Sequence, residues 1–198
     1  MDEKTFLLAL FVGLVLLDGG LGNWASRKYG ARLPCFYTKT GARYAANALT
    51  KGSWVMYPLT ILILALSVNG GLALWNDTYS IWLVALGFAF MLAATWVNYL
   101  GRRDLAKNFT PTTATSRGQK LVTTGVLSAV RHPIYLGFVL LDAGMALVAA
   151  NALGAALFAL SVAGLVIRAR NEERELAAKF GKKYSGYARR VPGFIPRP

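Results

Sequence analysis

The chain has 198 residues, 55% of them hydrophobic and 16% charged, with a mean hydropathy of +0.42. That is too apolar for an ordinary soluble domain of this length and points to a membrane. A net charge of +13 could suggest nucleic acid, but no zinc-finger or RNP pattern is present, so the position of the basic residues decides what the charge is for.

About five apolar runs can cross a bilayer, which takes roughly 20 helical residues. The first covers residues 5–24 and is interrupted by Asp18 and a glycine cluster. Its acidic start, Asp2-Glu3, and the lack of a small-residue cleavage site make it a retained span rather than a leader. The second and third runs cover residues 53–75 and 78–100. The last two, 134–150 and 152–167, are as short as spans can be, and Asn151 is the only polar residue between them. They read as a tight helical hairpin.

Charge alternates between these runs. Residues 26–52 carry Arg27, Lys28, Arg32, Lys39, Arg43 and Lys51 and no acid. The turn at 76–77 has only Asp77, whereas residues 101–133 hold six basic residues against Asp104. The Asn151 turn is neutral, and from Arg168 onward nine basic residues face three acids. Under the positive-inside rule this alternation gives five spans with a cytoplasmic C-terminus, and it explains most of the basicity as topology.

The chain therefore reads as one all-α integral-membrane domain, 1–198. Residues 1–100 form a transmembrane scaffold with a basic loop at 26–52, in which 42–48 could be a short interfacial helix. Residues 101–198 carry the candidate chemistry. Pro111, Gly118 and Gly125 break the segment before the hairpin. After it, the last span continues as a polar cytoplasmic helix through Phe180, with Gly181 as its stop. An irregular tail with Pro192, Pro196 and Pro198 is expected beyond. Trp54, Tyr57, Trp75, Tyr79, Trp82, Trp96 and Tyr99 lie near span ends, as an interfacial aromatic belt does. Cys35 and His132 are each the only residue of their type, so neither an internal disulfide nor a zinc site is expected.

Two polar clusters flank the hairpin, which returns them to one side of the membrane. The first is Arg131-His132-Pro133-Ile134-Tyr135-Leu136-Gly137, where proline can set the first turn of a helix. The second is Arg168-Ala169-Arg170-Asn171-Glu172-Glu173. Each has an ordinary reading. Arg131 can be a topology anchor, His132 a helix cap, and the Glu172-Glu173 pair part of a solvated charged helix with Arg168 and Glu172 at i,i+4. Each also has a functional one, in which a carboxylate at the boundary binds an ammonium or hydroxyl group or acts as a base. Asp18 and Asp142 lie inside apolar runs, where an acid either joins helices by hydrogen bonds or lines a substrate tunnel.

Residues 119–196 resemble the superfamily of isoprenylcysteine carboxyl methyltransferases and phospholipid methyltransferases. The shared elements are Lys120-Leu121-Val122-Thr123-Thr124-Gly125 and Arg131-His132-Pro133-x-Tyr135-x-Gly137. After the hairpin come Arg168-x3-Glu172-Glu173-x2-Leu176-x3-Phe180-Gly181-x2-Tyr184-x2-Tyr187, Val191-Pro192 and Phe194-Ile195-Pro196. The resemblance implies an S-adenosylmethionine site at the cytoplasmic membrane face, with no soluble Rossmann unit; no GxGxxG follows a strand here. It implies that Gln119, Lys120, Leu121 and Val122, with Gly125 ending that element, and His132, Pro133, Ile134, Tyr135 and Glu172 bind the cofactor. It places Arg168 and Glu173 at the reaction, with no metal. Leu127 stands where many relatives carry an aromatic residue, which puts one ring contact in doubt.

The implied activity is methyl transfer to a lipid-like or prenylcysteine-like amphipathic acceptor. Two other readings stay open: an NADPH-dependent membrane reductase of the sterol-reductase type, and a non-catalytic membrane scaffold. The contiguous Glu172-Glu173 pair favours the methyltransferase. The acceptor and the oligomeric state are not legible in the sequence.

Overall fold

The computed structural model describes residues 3–30, 81–109, 118–150 and 152–195. The second apolar run, the 42–48 segment, Cys35, Pro111, Asn151, Pro196, Pro198 and the aromatics Trp54, Tyr57, Trp75 and Tyr79 lie outside those residues. The described part is helical, without strands: α1 (Glu3–Lys28), α2 (Ile81–Leu105), α3 (Pro133–Ala149), α4 (Ala152–Phe180) and α5 (Lys182–Arg190). Short 3-10 turns occupy Ala106–Asn108 and Gly125–Ser128. Among the described residues, three helices are long and apolar enough to cross a membrane: Phe6–Lys28, Ile81–Asn108 and Ala152–Phe180. Helix α3 is apolar but has 17 residues, so it extends about 26 Å. The chain is an integral-membrane, multi-pass protein.

Helix α2 packs against α1 and α3, and α4 lies against α3. Small residues set the closeness of the α2–α3 pair. A Cβ on Gly87 would come within 2.8 Å of the Gly144 carbonyl oxygen, and one on Gly144 within 2.6 Å of the Gly87 oxygen. Between membrane helices, where lipid is as apolar as leucine, such backbone approach supplies the packing energy. Phe11, Met91, Leu141, Met145 and Val148 fill the core between α1, α2 and α3. Leu16, Trp82, Leu92, Trp96 and Leu160 face outward, as lipid-facing side chains do.

The acids inside the spans join helices. Asp18 on α1 accepts a hydrogen bond from the Asn98 amide nitrogen on α2 at 2.9 Å. Asp142 on α3 accepts one from the Ser161 hydroxyl on α4. Both carboxylates are buried. Trp24 of α1 stacks on Tyr99 of α2, with ring centroids 6.4 Å apart.

Two boundaries differ from the sequence expectation. Helix α2 runs to Leu105 rather than ending near 100, because Arg102 and Arg103 continue it toward the interface, with Arg103 paired to Asp104 at 2.7 Å. Helix α4 ends at Phe180 as expected, with Gly181 at φ +54°. The tail beyond is not irregular throughout: Lys182–Arg190 forms α5. The prolines read as helix breakers begin only at Pro192, and Tyr184 and Tyr187, one turn apart, bury themselves beneath the helix.

Candidate functional site

The site begins where α2 leaves the apolar layer. Its last acid, Asp104, accepts the Val126 backbone N–H at 2.8 Å, and Asn108 accepts the Lys120 backbone N–H at 2.8 Å. Gln119 donates to the Asn108 carbonyl at 3.2 Å. These bonds fasten residues 119–126 across the end of α2. Gly125 takes φ +64°, and a Cβ there would collide with the Asp104 carboxylate, so a side chain would be strained and would break the clasp.

The chain then turns through Val130 into α3. Pro133 takes the first helical position, where its missing N–H costs nothing. His132 precedes it but makes no side-chain cap, so the capping explanation for this histidine does not hold. Its imidazole turns to α4 instead. Nε2 lies 3.1 Å from Glu173 Oε1 and Nδ1 lies 3.8 Å from Glu172 Oε2. Arg131 donates to Glu173 Oε1 at 2.6 Å and to the Ala188 carbonyl of α5 at 2.8 Å. The Arg131 side chain thus ties three elements together and is more than a topology anchor.

The apolar part of α4 ends near Ile167, and Glu173 lies nearly two turns beyond it. There the hydrogen bond from His132, reinforced by Arg131, holds the Glu173 carboxyl below the usual carboxylate range despite partial burial. An ionised carboxylate only accepts hydrogen bonds, so the proton in the His132–Glu173 contact sits on Nε2.

A second contact lies deeper. Arg168 is buried and donates from Nε to the Tyr135 hydroxyl at 2.8 Å. The Tyr135 ring also stacks on His132, centroids 5.5 Å apart. Phe194 covers the other part of the imidazole at 5.6 Å. The tail is pinned over this layer by backbone bonds, Arg131 N–H to the Pro192 carbonyl at 2.9 Å and His132 N–H to the Gly193 carbonyl at 3.1 Å. Tyr187 donates to the Leu127 carbonyl at 2.6 Å, and burial pushes its phenol up to about 12.

Of the residues singled out in the sequence, His132, Tyr135, Arg168, Glu172 and Glu173 therefore converge. Gln119 and Lys120 are fastened to Asn108 just past the end of α2, and Lys179 of α4 reaches the Gln119 side-chain oxygen at 3.5 Å. The side chains of Pro133 and Ile134 are buried against Gly101 of α2, leaving their backbone for any contact. Leu127 is buried in packing. Sequence reading missed Phe194 as the cover of His132, and it missed Arg131 as a direct Glu173 partner. No group of three or more metal-ligating side chains occurs among the described residues.

Residues 84–178 match the isoprenylcysteine carboxyl methyltransferase family. The chain is 40% identical over 78 residues to protein-S-isoprenylcysteine O-methyltransferase B of Arabidopsis thaliana, covering 39% of this chain and 40% of that protein. It is 44% identical over 81 residues to methanethiol S-methyltransferase 2 of Bradyrhizobium diazoefficiens, covering 40% of this chain and 30% of the relative. A longer match, 31% over 161 residues, joins it to a cobalt-zinc-cadmium resistance protein of Cupriavidus metallidurans, over 79% of this chain and 69% of the relative. The chain thus spans less than half of the first two relatives. Its fold is similar to the solved eukaryotic intramembrane Ras methyltransferase, an isoprenylcysteine carboxyl methyltransferase. The TM-score is 0.52 at 23% identity, over 81% of this chain and 55% of that one.

Proposed function

From the premise that the chain belongs to the isoprenylcysteine carboxyl methyltransferase superfamily, we propose that it is an S-adenosylmethionine-dependent methyltransferase of the membrane. Its acceptor is an amphipathic molecule with a lipid-like tail, of the prenylcysteine type. One observation carries this reading: the start of α3 and the end of α4 meet in a single cluster of His132, Tyr135, Arg168, Glu172 and Glu173.

The residues fit the cofactor. Glu172 is about a third exposed; its oxygen is 3.8 Å from His132 Nδ1, too far for a hydrogen bond, and the Tyr135 hydroxyl interacts with it. A carboxylate with two oxygens and several lone pairs thus retains acceptor capacity for an ammonium or hydroxyl groups. Glu172, His132 and Tyr135 would hold the cofactor from the α3–α4 side. Gln119, Lys120, Leu121 and Val122, with the turn at Gly125 and the backbone of Pro133 and Ile134, would hold it from the loop side. When bound, it supplies a sulfonium methyl group whose S–C bond breaks as the acceptor–C bond forms, leaving a neutral thioether.

Arg168 is the residue that fixes the acceptor's head. Tyr135 locks one of its nitrogens, and the guanidinium pairs with a carboxylate while the acceptor's tail stays in lipid. A carboxylate acceptor needs alignment and exclusion of water rather than a base. For a thiol or amine acceptor, His132, oriented by Glu173, takes the proton. Glu173 itself is ionised and committed to Arg131 and His132, and serves as the positioning carboxylate. We place the site and C-terminus on the cytoplasmic side, supported by the alternating basic loops.

The test is transfer of labelled methyl from S-adenosylmethionine by the protein in nanodiscs to N-acetyl-S-farnesylcysteine, an alkyl thiol or phosphatidylethanolamine. A base-labile methyl ester on the first is the expected product, and Arg168→Ala should reduce it by at least about tenfold. No transfer to any of the three would refute the proposal.

A further inference from the structure

Helix α4 presents two unlike faces beyond its apolar segment. Arg168 and Glu172 share the face toward α3, whereas Arg170, Arg174 and Ala177 lie roughly 200° away around the helix. On that second face α4 and α5 enclose an open groove of about 500 Å³, lined by Arg170, Glu173, Arg174, Tyr184, Ser185 and Arg189. Its only acid, Glu173, is already paired with Arg131 and His132.

Arg170, Arg174 and Arg189 are exposed, and none makes a hydrogen bond or ion pair among the described residues. Three guanidinium groups around one concavity repel each other unless an anion joins them. A second observation points the same way. Tyr184 is 4% exposed, and its hydroxyl is buried without a hydrogen-bond partner. A buried donor without an acceptor is costly and calls for a ligand or water. Ser185 adds an exposed hydroxyl on the rim.

Depth identifies the anion. Arg170 and Arg174 lie three and seven residues past Ile167, about 5 and 10 Å along the helix axis. The headgroup layer occupies roughly the first 5–8 Å outside the hydrocarbon. Arg170 lies within it, and Arg174 starts just beyond it with a side chain that leans back toward the helix N-terminus and so toward the membrane. We propose that this groove is a binding site for the phosphate of an anionic phospholipid headgroup, held by Arg170, Arg174 and Arg189 over the Tyr184 hydroxyl. Arginine forks suit phosphate because they donate two parallel hydrogen bonds to its oxygens. A bound lipid there would clamp α5 to α4 beside the proposed methyl-transfer site, with which the groove shares Glu173.

The experiment measures retention of short-chain phosphatidylglycerol and phosphatidylcholine by full-length protein, using native mass spectrometry from detergent. The expected result is a preference of about tenfold for phosphatidylglycerol. The triple variant Arg170→Gln, Arg174→Gln, Arg189→Gln should lose it, and Tyr184→Phe should weaken it about threefold. A charge-matched control, Lys182→Gln, Lys183→Gln, Arg190→Gln, should keep it. If the triple variant does not fold, Arg174→Gln alone provides the same comparison. Equal loss in triple variant and control, or no preference in the wild type, would overturn the proposal. Glycerol 1-phosphate and inorganic phosphate form the second arm: competition only at millimolar levels fits a lipid site, whereas binding as tight as the lipid would reassign the groove to a soluble phosphate ester.

Discussion

Carboxylates inside the spans and carboxylates at their boundary are treated differently. Asp18 and Asp142 each meet a neutral partner, Asn98 or Ser161, in a sealed contact between two helices. Glu172 and Glu173 face Arg131 and His132 and stay about a third exposed. The first arrangement holds helices together; the second leaves charge within reach of a polar ligand. The same residue types thus act as glue or as candidate chemistry according to whether their partners close off water.

The sharpest way to break this contrast is Glu173→Ala. It removes the shared acceptor of Arg131 and His132, while the bonds at Ala188, Pro192, Gly193 and Leu127 still hold α5 and the tail in place. Because the pair is partly exposed, the expected stability loss is about 1–2 kcal/mol, with cofactor binding weakened at least about tenfold. Thermal unfolding and equilibrium binding read the two effects. The pH dependence adds a check. Glu173 is held below its unfolded value, so its contribution is fully present above the ordinary carboxylate range and is lost as pH falls through the depressed value. Unfolding temperatures measured from pH 7 to pH 3 should therefore fall less steeply in Glu173→Gln than in the wild type.

Next in size is Tyr135→Phe, which frees Arg168 without removing its charge. A loss of about fivefold in kcat/KM is expected, with cofactor affinity weakened by less than about threefold because the ring that would line the cofactor remains; a larger loss of cofactor affinity would show that the hydroxyl acts mainly on the cofactor. The smallest effects belong inside the spans. Asp142→Asn and Asp18→Asn keep an acceptor for Ser161 and Asn98, so each should change stability by less than about 1 kcal/mol and leave methyl transfer intact. A large activity loss in Asp142→Asn would favour the substrate-tunnel reading.

Much of this division was legible in the sequence because hydrophobic length and charge alternation are local signals. They gave the starts of the hairpin and the end of α4 at Gly181 to within a residue or two. The meeting of His132 with Glu172 and Glu173 was also accessible, since a short hairpin must return its ends to one side. What the sequence concealed depends on distant partners. Nothing local marks Phe194 as the cover of His132 across 62 residues of chain, and Arg131 looks like any topological arginine until α5 is folded beneath it. Helix α5 was hidden by its composition: nine polar-rich residues with Gly186 read as loop, and only the burial of Tyr184 and Tyr187 makes the helix worthwhile.

The central claim is that the α3–α4 boundary cluster binds S-adenosylmethionine. Equilibrium binding of labelled cofactor to the protein in nanodiscs tests it directly, with His132→Ala, Glu172→Ala and Asp142→Asn alongside. The account predicts saturable binding at about one site per chain, lost in the first two variants while they remain folded, and kept in the third. No saturable binding to the folded wild-type protein, or binding unaffected by both boundary substitutions, would contradict it.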